Sequence, residues 1–200
     1  MAYETLTYAT EGPIGVLTLN RPKCLNAMNY VMLNEFREFF DERLRDHATR
    51  VIVLTGAGRG FNPGLDIHDP AITMPAGGFT PKYTYELQKL FSDFILFMRR
   101  CPQPIIGAIN GAAAGAGFSM AMACDMRIMS DAAVLMAGYP RIGGSPDGGL
   151  TWTLPQAMGY EQTMRFLLEN RTVEAAEAKQ MGLVGEVVAA DKLNERLAEY

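Results

Sequence analysis

Two hundred residues, 48% of them hydrophobic and 20% charged, suit one large globular domain with a real core. A formal net charge of −4 argues against a nucleic-acid partner, which would need a basic face. The three scattered cysteines, Cys24, Cys101 and Cys124, show neither a CxxC pair nor zinc spacing and read as reduced thiols in a cytoplasmic protein without a metal. MAYETLTYATEG has no basic segment or apolar stretch of the kind a signal peptide needs, and no apolar run reaches the ~18 residues of a membrane helix.

In chain order, TLTY (5–8) and IGVLTLN (14–20), joined by ATEGP, predict a β-hairpin. A helix follows from about Tyr30 to Leu44, with Met32 or Leu33, Phe36, Phe40 and Leu44 at helical spacing. VIVLTG (51–56) is a short continuous apolar run that suits a buried parallel strand, and AGRGFNPGLDIHD after it reads as a glycine-rich loop. Residues 70–82 read as a mobile loop. Tyr83 to Arg100 reads as an amphipathic helix turning Leu87, Leu90, Phe91, Phe94, Ile95 and Met98 inward.

PQPIIGAIN (102–110) is a second buried strand, and GAAAGAGFSMAMAC is a small-residue turn that becomes a helix. MRIMS (126–130) and VLMA (134–137) are short strands, followed by helical stretches near 151–158, 160–169 and 173–180. The strand GLVGEVV and a helix from about Asp191 come last. Strand, crossover helix, strand, repeated, means one α/β domain over residues 1–200 with a mostly parallel sheet covered by helices.

Two stretches share a grammar of buried strand, small residues, then helix: VIVLTGAGRGFNPGLDIHD and PIIGAINGAAAGAGFSMAMACD. The first N–H groups of a helix have no internal partner and carry its positive pole. One N–H from each loop could grip a single oxygen as charge develops on it, although small residues also simply let a helix pack closely on a sheet. Neither stretch matches a phosphate-binding glycine motif. In GGSPDGG (143–149), Asp147 fits equally a turn residue, a helix N-cap or a lone catalytic carboxylate.

Five blocks together resemble the crotonase (enoyl-CoA hydratase/isomerase) superfamily: VLTLNRPKCLNAMN, VIVLTGAGRGFNPGLD, PQPIIGAINGAAAGAGFSMAMACDMRIMS, IGGSPDGGLTWTLPQAMG and NRTVEAAEAKQMGLVGEVV. The resemblance implies a spiral of ββα units that binds acyl-CoA thioesters, with coenzyme A arriving as part of the substrate and no permanently bound cofactor. It implies homotrimers or hexamers where the C-terminal helices of longer relatives are present; these helices are expected to be missing here. The family's two oxyanion donors map onto the backbone N–H groups of Leu65 and Ala116. Its binding of the pantetheine and adenine portions maps onto Lys23, Leu25 and Ala27 and onto Gly64, Asp66, Ile67 and His68. Gly115, Ser119 and Tyr139 would line the acyl site.

Hydratases of the family use two glutamates, whose positions align with Ser119 and Tyr139; neither is a carboxylate. Several isomerases of the family use an aspartate at the position of Asp147. The expectation is therefore an enoyl-CoA isomerase in which Asp147 shuttles one proton between two carbons. The alternatives are a hydratase with atypical groups, a hydrolase or dehalogenase with Asp147 as nucleophile, and a non-catalytic acyl-CoA binder. The remaining candidates read as structural: His68 as an exposed loop residue, His47 as a surface cap, Asp66 as the cap of a helix opening at its loop, Asp125 as a helix-end residue. Trp152 and the aromatics of the 83–98 helix read as core. Asn62 has no assigned effect.

Overall fold

The computed structural model describes residues 3–72 and 80–199. β1 (Leu6–Glu11) and β2 (Ile14–Leu19) form the expected antiparallel hairpin, with Glu11 paired to Ile14. Most of the connecting ATEGP is strand, because a two-residue turn suffices when Gly12 takes a left-handed φ of 56°. α1 (Tyr30–Arg43) opens at Asn29, whose side chain accepts the Met32 N–H at 2.9 Å. It buries Met32, Leu33, Phe36, Phe39 and Phe40; Phe39 stands in for Leu44, which lies past the helix and is exposed.

β3 (Val51–Gly56) is the predicted buried parallel strand. The loop expected after it contains a further strand, β4 (Gly60–Asn62), buried along its length. Of the loop expected over 70–82, residues 73–79 lie outside the described residues, and Pro81 and Lys82 belong to α2 (Pro81–Arg100). That helix starts early because Thr80 caps the Tyr83 N–H and Pro81 fills its first turn.

β5 (Ile105–Ile109) is followed by a short β6 (Ala112–Ala114) and then α3 (Ala116–Ala123). β7 (Met126–Ser130) and β8 (Val134–Met136) match the two predicted strands. After them come α4 (Leu150–Met158) and α5 (Tyr160–Glu169). The helix expected over 173–180 divides into β9 (Thr172–Glu174) and α6 (Ala175–Gln180), and β10 (Glu186–Val188) and α7 (Leu193–Leu197) follow.

The strands form two sheets. The larger runs β1-β2-β3-β5-β7-β10, parallel except for β1; the smaller runs β4-β6-β8-β9, with β9 antiparallel. Each turn of the chain lays one strand in the large sheet, one in the small sheet, and then a helix: β3-β4-α2, β5-β6-α3, β7-β8-α4. This is the expected spiral of ββα units. Phe36, Phe40, Phe61, Phe94, Phe118 and Phe166 belong to the core cluster, and Phe36 meets Phe94 edge-on, tying α1 to α2. Because successive units are parallel, the ends of β4, β6 and β8 and the loops leaving them gather at one side of the small sheet.

Candidate active site

The loops leaving β4 and β6 pack backbone to backbone. A Cβ on Gly64, whose φ is 103°, would lie 3.2 Å from the Ala114 carbonyl and 3.4 Å from the Ala116 nitrogen. Glycine is required there by both conformation and space. Gly115, at φ 52°, opens α3 without any side-chain cap. Among the hydrogen bonds of the described residues, neither the Leu65 N–H nor the Ala116 N–H has an acceptor. Two adjacent loops thus each present an unused donor, one of them at the positive end of a helix buried at every position.

Side chains far away in sequence lock these loops. Asn62 is fully buried; its amide donates to the Asn26 carbonyl at 2.6 Å and accepts the Gly64 N–H at 2.8 Å. Asn26, also fully buried and at φ 68°, accepts the Arg21 N–H at 2.9 Å and donates to the carbonyls of Gly60 (2.8 Å) and Ala57 (3.0 Å). Met28 donates to the Gly64 carbonyl and accepts the Asp66 N–H, both at 2.8 Å. The segment 23–27 and the loop 64–68 are therefore brought side by side. The Asp66 carboxylate pairs with Arg21 at 2.9 Å and accepts the His68 N–H at 3.0 Å. Burial alone would raise its pKa, but the Arg21 guanidinium and the His68 N–H outweigh that and hold it below the usual carboxylate value.

The third loop follows β8. A 3-10 turn (Tyr139–Ile142) leads to Asp147, which is half-buried. Tyr139 donates its hydroxyl to Asp147 Oδ1 at 2.6 Å, and Gln88 of α2 donates to Oδ2 at 3.3 Å. The Ser119 hydroxyl, on α3, lies 3.0 Å from the Tyr139 hydroxyl and 3.1 Å from the Asp147 carbonyl. Burial, and then the Asp147 charge, push the Tyr139 phenol far above its ordinary value. A Cβ on Gly148 would come within 2.6 Å of Ser119 Cβ, so the loop rests directly on α3.

A family model described as enoyl-CoA hydratase/isomerase matches residues 9–200. This chain belongs to the enoyl-CoA hydratase/isomerase family. It is 38% identical over 188 residues to a probable enoyl-CoA hydratase of Rhodobacter capsulatus, covering 94% of this chain and 70% of that protein. It is 37% identical over 187 residues to a probable enoyl-CoA hydratase of Mycobacterium tuberculosis, covering 90% of this chain and 64% of the relative. Among solved structures, a monofunctional enoyl-CoA isomerase from M. smegmatis superposes with a TM-score of 0.80 at 32% identity, over 98% of this chain and 82% of that one. The chain thus spans about two thirds of the length of these curated relatives.

Within this family member the sequence-predicted residues fall into two groups. Leu65, Ala116, Gly64 and Gly115 meet at one place, and Ser119, Tyr139 and Asp147 join in one hydrogen-bonded chain. Lys23, Ile67 and His68 are exposed, whereas Ala27 is buried and Leu25 is partly so. Asp66 caps no helix, because the described chain after it makes turns; it holds Arg21 and the His68 N–H instead. Asp125 is structural as expected, bonding Arg99 at 2.7 Å and the Ile105 N–H at 2.8 Å.

Trp152 is not core. It is 74% exposed and lines a cleft of about 520 Å³ with Leu96, Arg99, Met122 and Gln156, between α2, α3 and α4. The helix stripe that contacts the core passes through Leu150 and Leu154, which leaves position 152 on the far side. Tyr85 of α2 is likewise exposed, while Phe91 and Phe94 are buried. Asn26, Asn62 and Gln88 are the residues that sequence reasoning missed. Their amide N–H groups donate to partners 31 to 59 residues away, and no local pattern marks those pairings.

Proposed function

We propose that this chain acts on an acyl-CoA thioester as an enoyl-CoA isomerase, with the backbone N–H groups of Leu65 and Ala116 stabilising the enolate and Asp147 as the single base. The observation that carries this reading is the hydrogen-bonded chain Ser119–Tyr139–Asp147. The two positions aligned with hydratase glutamates hold hydroxyls that serve the one carboxylate. Moving a double bond needs one base that takes a proton from one carbon and returns it to another. The thioester oxygen gains charge in that step, and each unused N–H offsets it by about 3 kcal/mol.

In the same reading, residues 23–27 and 64–68 bind the coenzyme A portion, and Gly115, Ser119 and Tyr139 face the acyl group. Coenzyme A comes and goes with the substrate, with no resident cofactor, in a cytoplasmic enzyme that assembles as a trimer or hexamer where the C-terminal helices of longer relatives are present. A hydratase is the second reading, favoured by the names of the two curated relatives described above.

The test is proton exchange. Wild-type protein with a panel of 3-enoyl-CoA thioesters in D₂O is expected to give α-deuteration and a shifted double bond. Asp147→Asn should slow both by about a hundredfold or more. Undiminished exchange in that variant would move the base elsewhere; water addition to a 2-enoyl-CoA without exchange would favour the hydratase.

A further inference from the structure

Three elements hold Asp147, and they treat its two oxygens differently. Oδ1 receives a 2.6 Å bond from Tyr139, a side chain that is 6% exposed. Among the described residues, Oδ2 receives only a 3.3 Å bond from Gln88, which is exposed at the surface of α2. An ionised carboxylate can only accept, so the single Tyr139 hydrogen is committed to Oδ1. The Ser119 hydrogen is then left for the Tyr139 oxygen or for the carbonyls of Asp147 and Gly115, at 3.0, 3.1 and 3.4 Å.

We infer that Tyr139, backed by Ser119, is a positioning residue that fixes the Asp147 carboxylate and leaves Oδ2 as the oxygen that takes and returns the proton. This rests on the reading of Asp147 as the base. The step balances without any co-reactant. The C2–H bond of a 3-enoyl thioester breaks, its proton bonds to Oδ2, and the electron pair spreads toward the thioester oxygen as a dienolate. The O–H bond at Oδ2 then breaks as the proton is delivered to C4, and the double bond settles between C2 and C3.

The buried phenol stays protonated throughout, since burial and the neighbouring carboxylate both oppose its ionisation. Among the described contacts of Asp147, Tyr139 is the one titratable group; Gln88 from α2 and Ser119 from α3 are uncharged.

The test is the exchange assay on the intact chain, with kcat and KM read separately. A group that orients the base acts in the proton transfer rather than in binding, so Tyr139→Phe should lower kcat about tenfold or more. KM should stay within about threefold, because phenylalanine keeps the ring that faces the acyl group. Ser119→Ala should lower kcat less, and Gln88→Ala least of all.

A native-like Tyr139→Phe protein with unchanged kcat, or with a changed KM alone, would overturn the inference. A larger loss of kcat in Gln88→Ala than in Tyr139→Phe would overturn the choice of Oδ2. Should Tyr139→Phe not fold, Ser119→Ala carries the test, and an unchanged kcat there counts against it. Exchange that survives in Asp147→Asn would defeat the base reading itself. Exchange lost in Asp147→Asn, with nothing moved in Tyr139→Phe, would defeat only the positioning role.

Discussion

Position 116 is the first residue of α3, where a helix tolerates proline because the N–H it removes has no partner in the helix. Gly115 before it lies at φ 52° and ψ −127°, a conformation open to glycine and compatible with a following proline. Ala116→Pro therefore deletes one proposed oxyanion donor with little strain. It should cut the exchange rate about a hundredfold or more while leaving the melting temperature nearly unchanged. Asn62→Ala should do the reverse in part. It strands the Asn26 carbonyl and the Gly64 N–H, costing about 1–3 kcal/mol in urea unfolding. Gly117→Ala is harsher still, because its Cβ would sit 2.0 Å from the Asn62 carbonyl oxygen. Leu65, Ala116 and Asp147 were singled out by the resemblance to the family, and glycines and short turns mark their loops locally. Asn62 and Gln88 were not, because their amide groups donate to partners 36 and 59 residues away.

Among the elements, the hairpin, α1, β3 and α2 were legible because each is long enough to show a period of 2 or 3.6, or a continuous apolar run. The small sheet was not. Gly60–Asn62 and Ala112–Ala114 are three residues long and poor in strand formers, so tertiary pairing alone makes them strands. Hydropathy also hides the depth of α3, which is buried all round and so shows no polar face. Its end carries Cys124, whose thiol burial pushes up to about 12. Native protein at pH 8 should therefore leave Cys124 unmodified by an aromatic disulfide reagent, and its labelling should follow the rate of unfolding. Labelling of Cys124 as fast as a free thiol would mean that α3 opens readily.

For the whole molecule, two carboxyls tie stability to acid. Thr49, through its N–H and hydroxyl, holds Asp46 below the ordinary carboxylate value, and Arg21 with the His68 N–H does the same for Asp66 despite burial. A carboxyl lowered on folding stabilises fully above its unfolded pKa of about 4 and loses that contribution as pH falls through the lowered value. Unfolding free energy should therefore hold level from neutrality to about pH 5 and decline below it. Asp66→Asn should flatten part of that decline; a slope unchanged in this variant would mean that Asp66 titrates alike in both states. The fold class itself was legible at this scale, because the alternation of strand and helix survives any error in individual boundaries.

The donors at 65 and 116 belong to the main chain, so every side-chain substitution except proline preserves them. The groups that handle protons, at 119, 139 and 147, are side chains and can each be exchanged by a single mutation. In the proposed reading, then, one half of the chemistry is inherited with the fold while the other is free to drift. Such a scaffold can change which reaction it performs without ever passing through an ancestor that has lost its grip on the thioester.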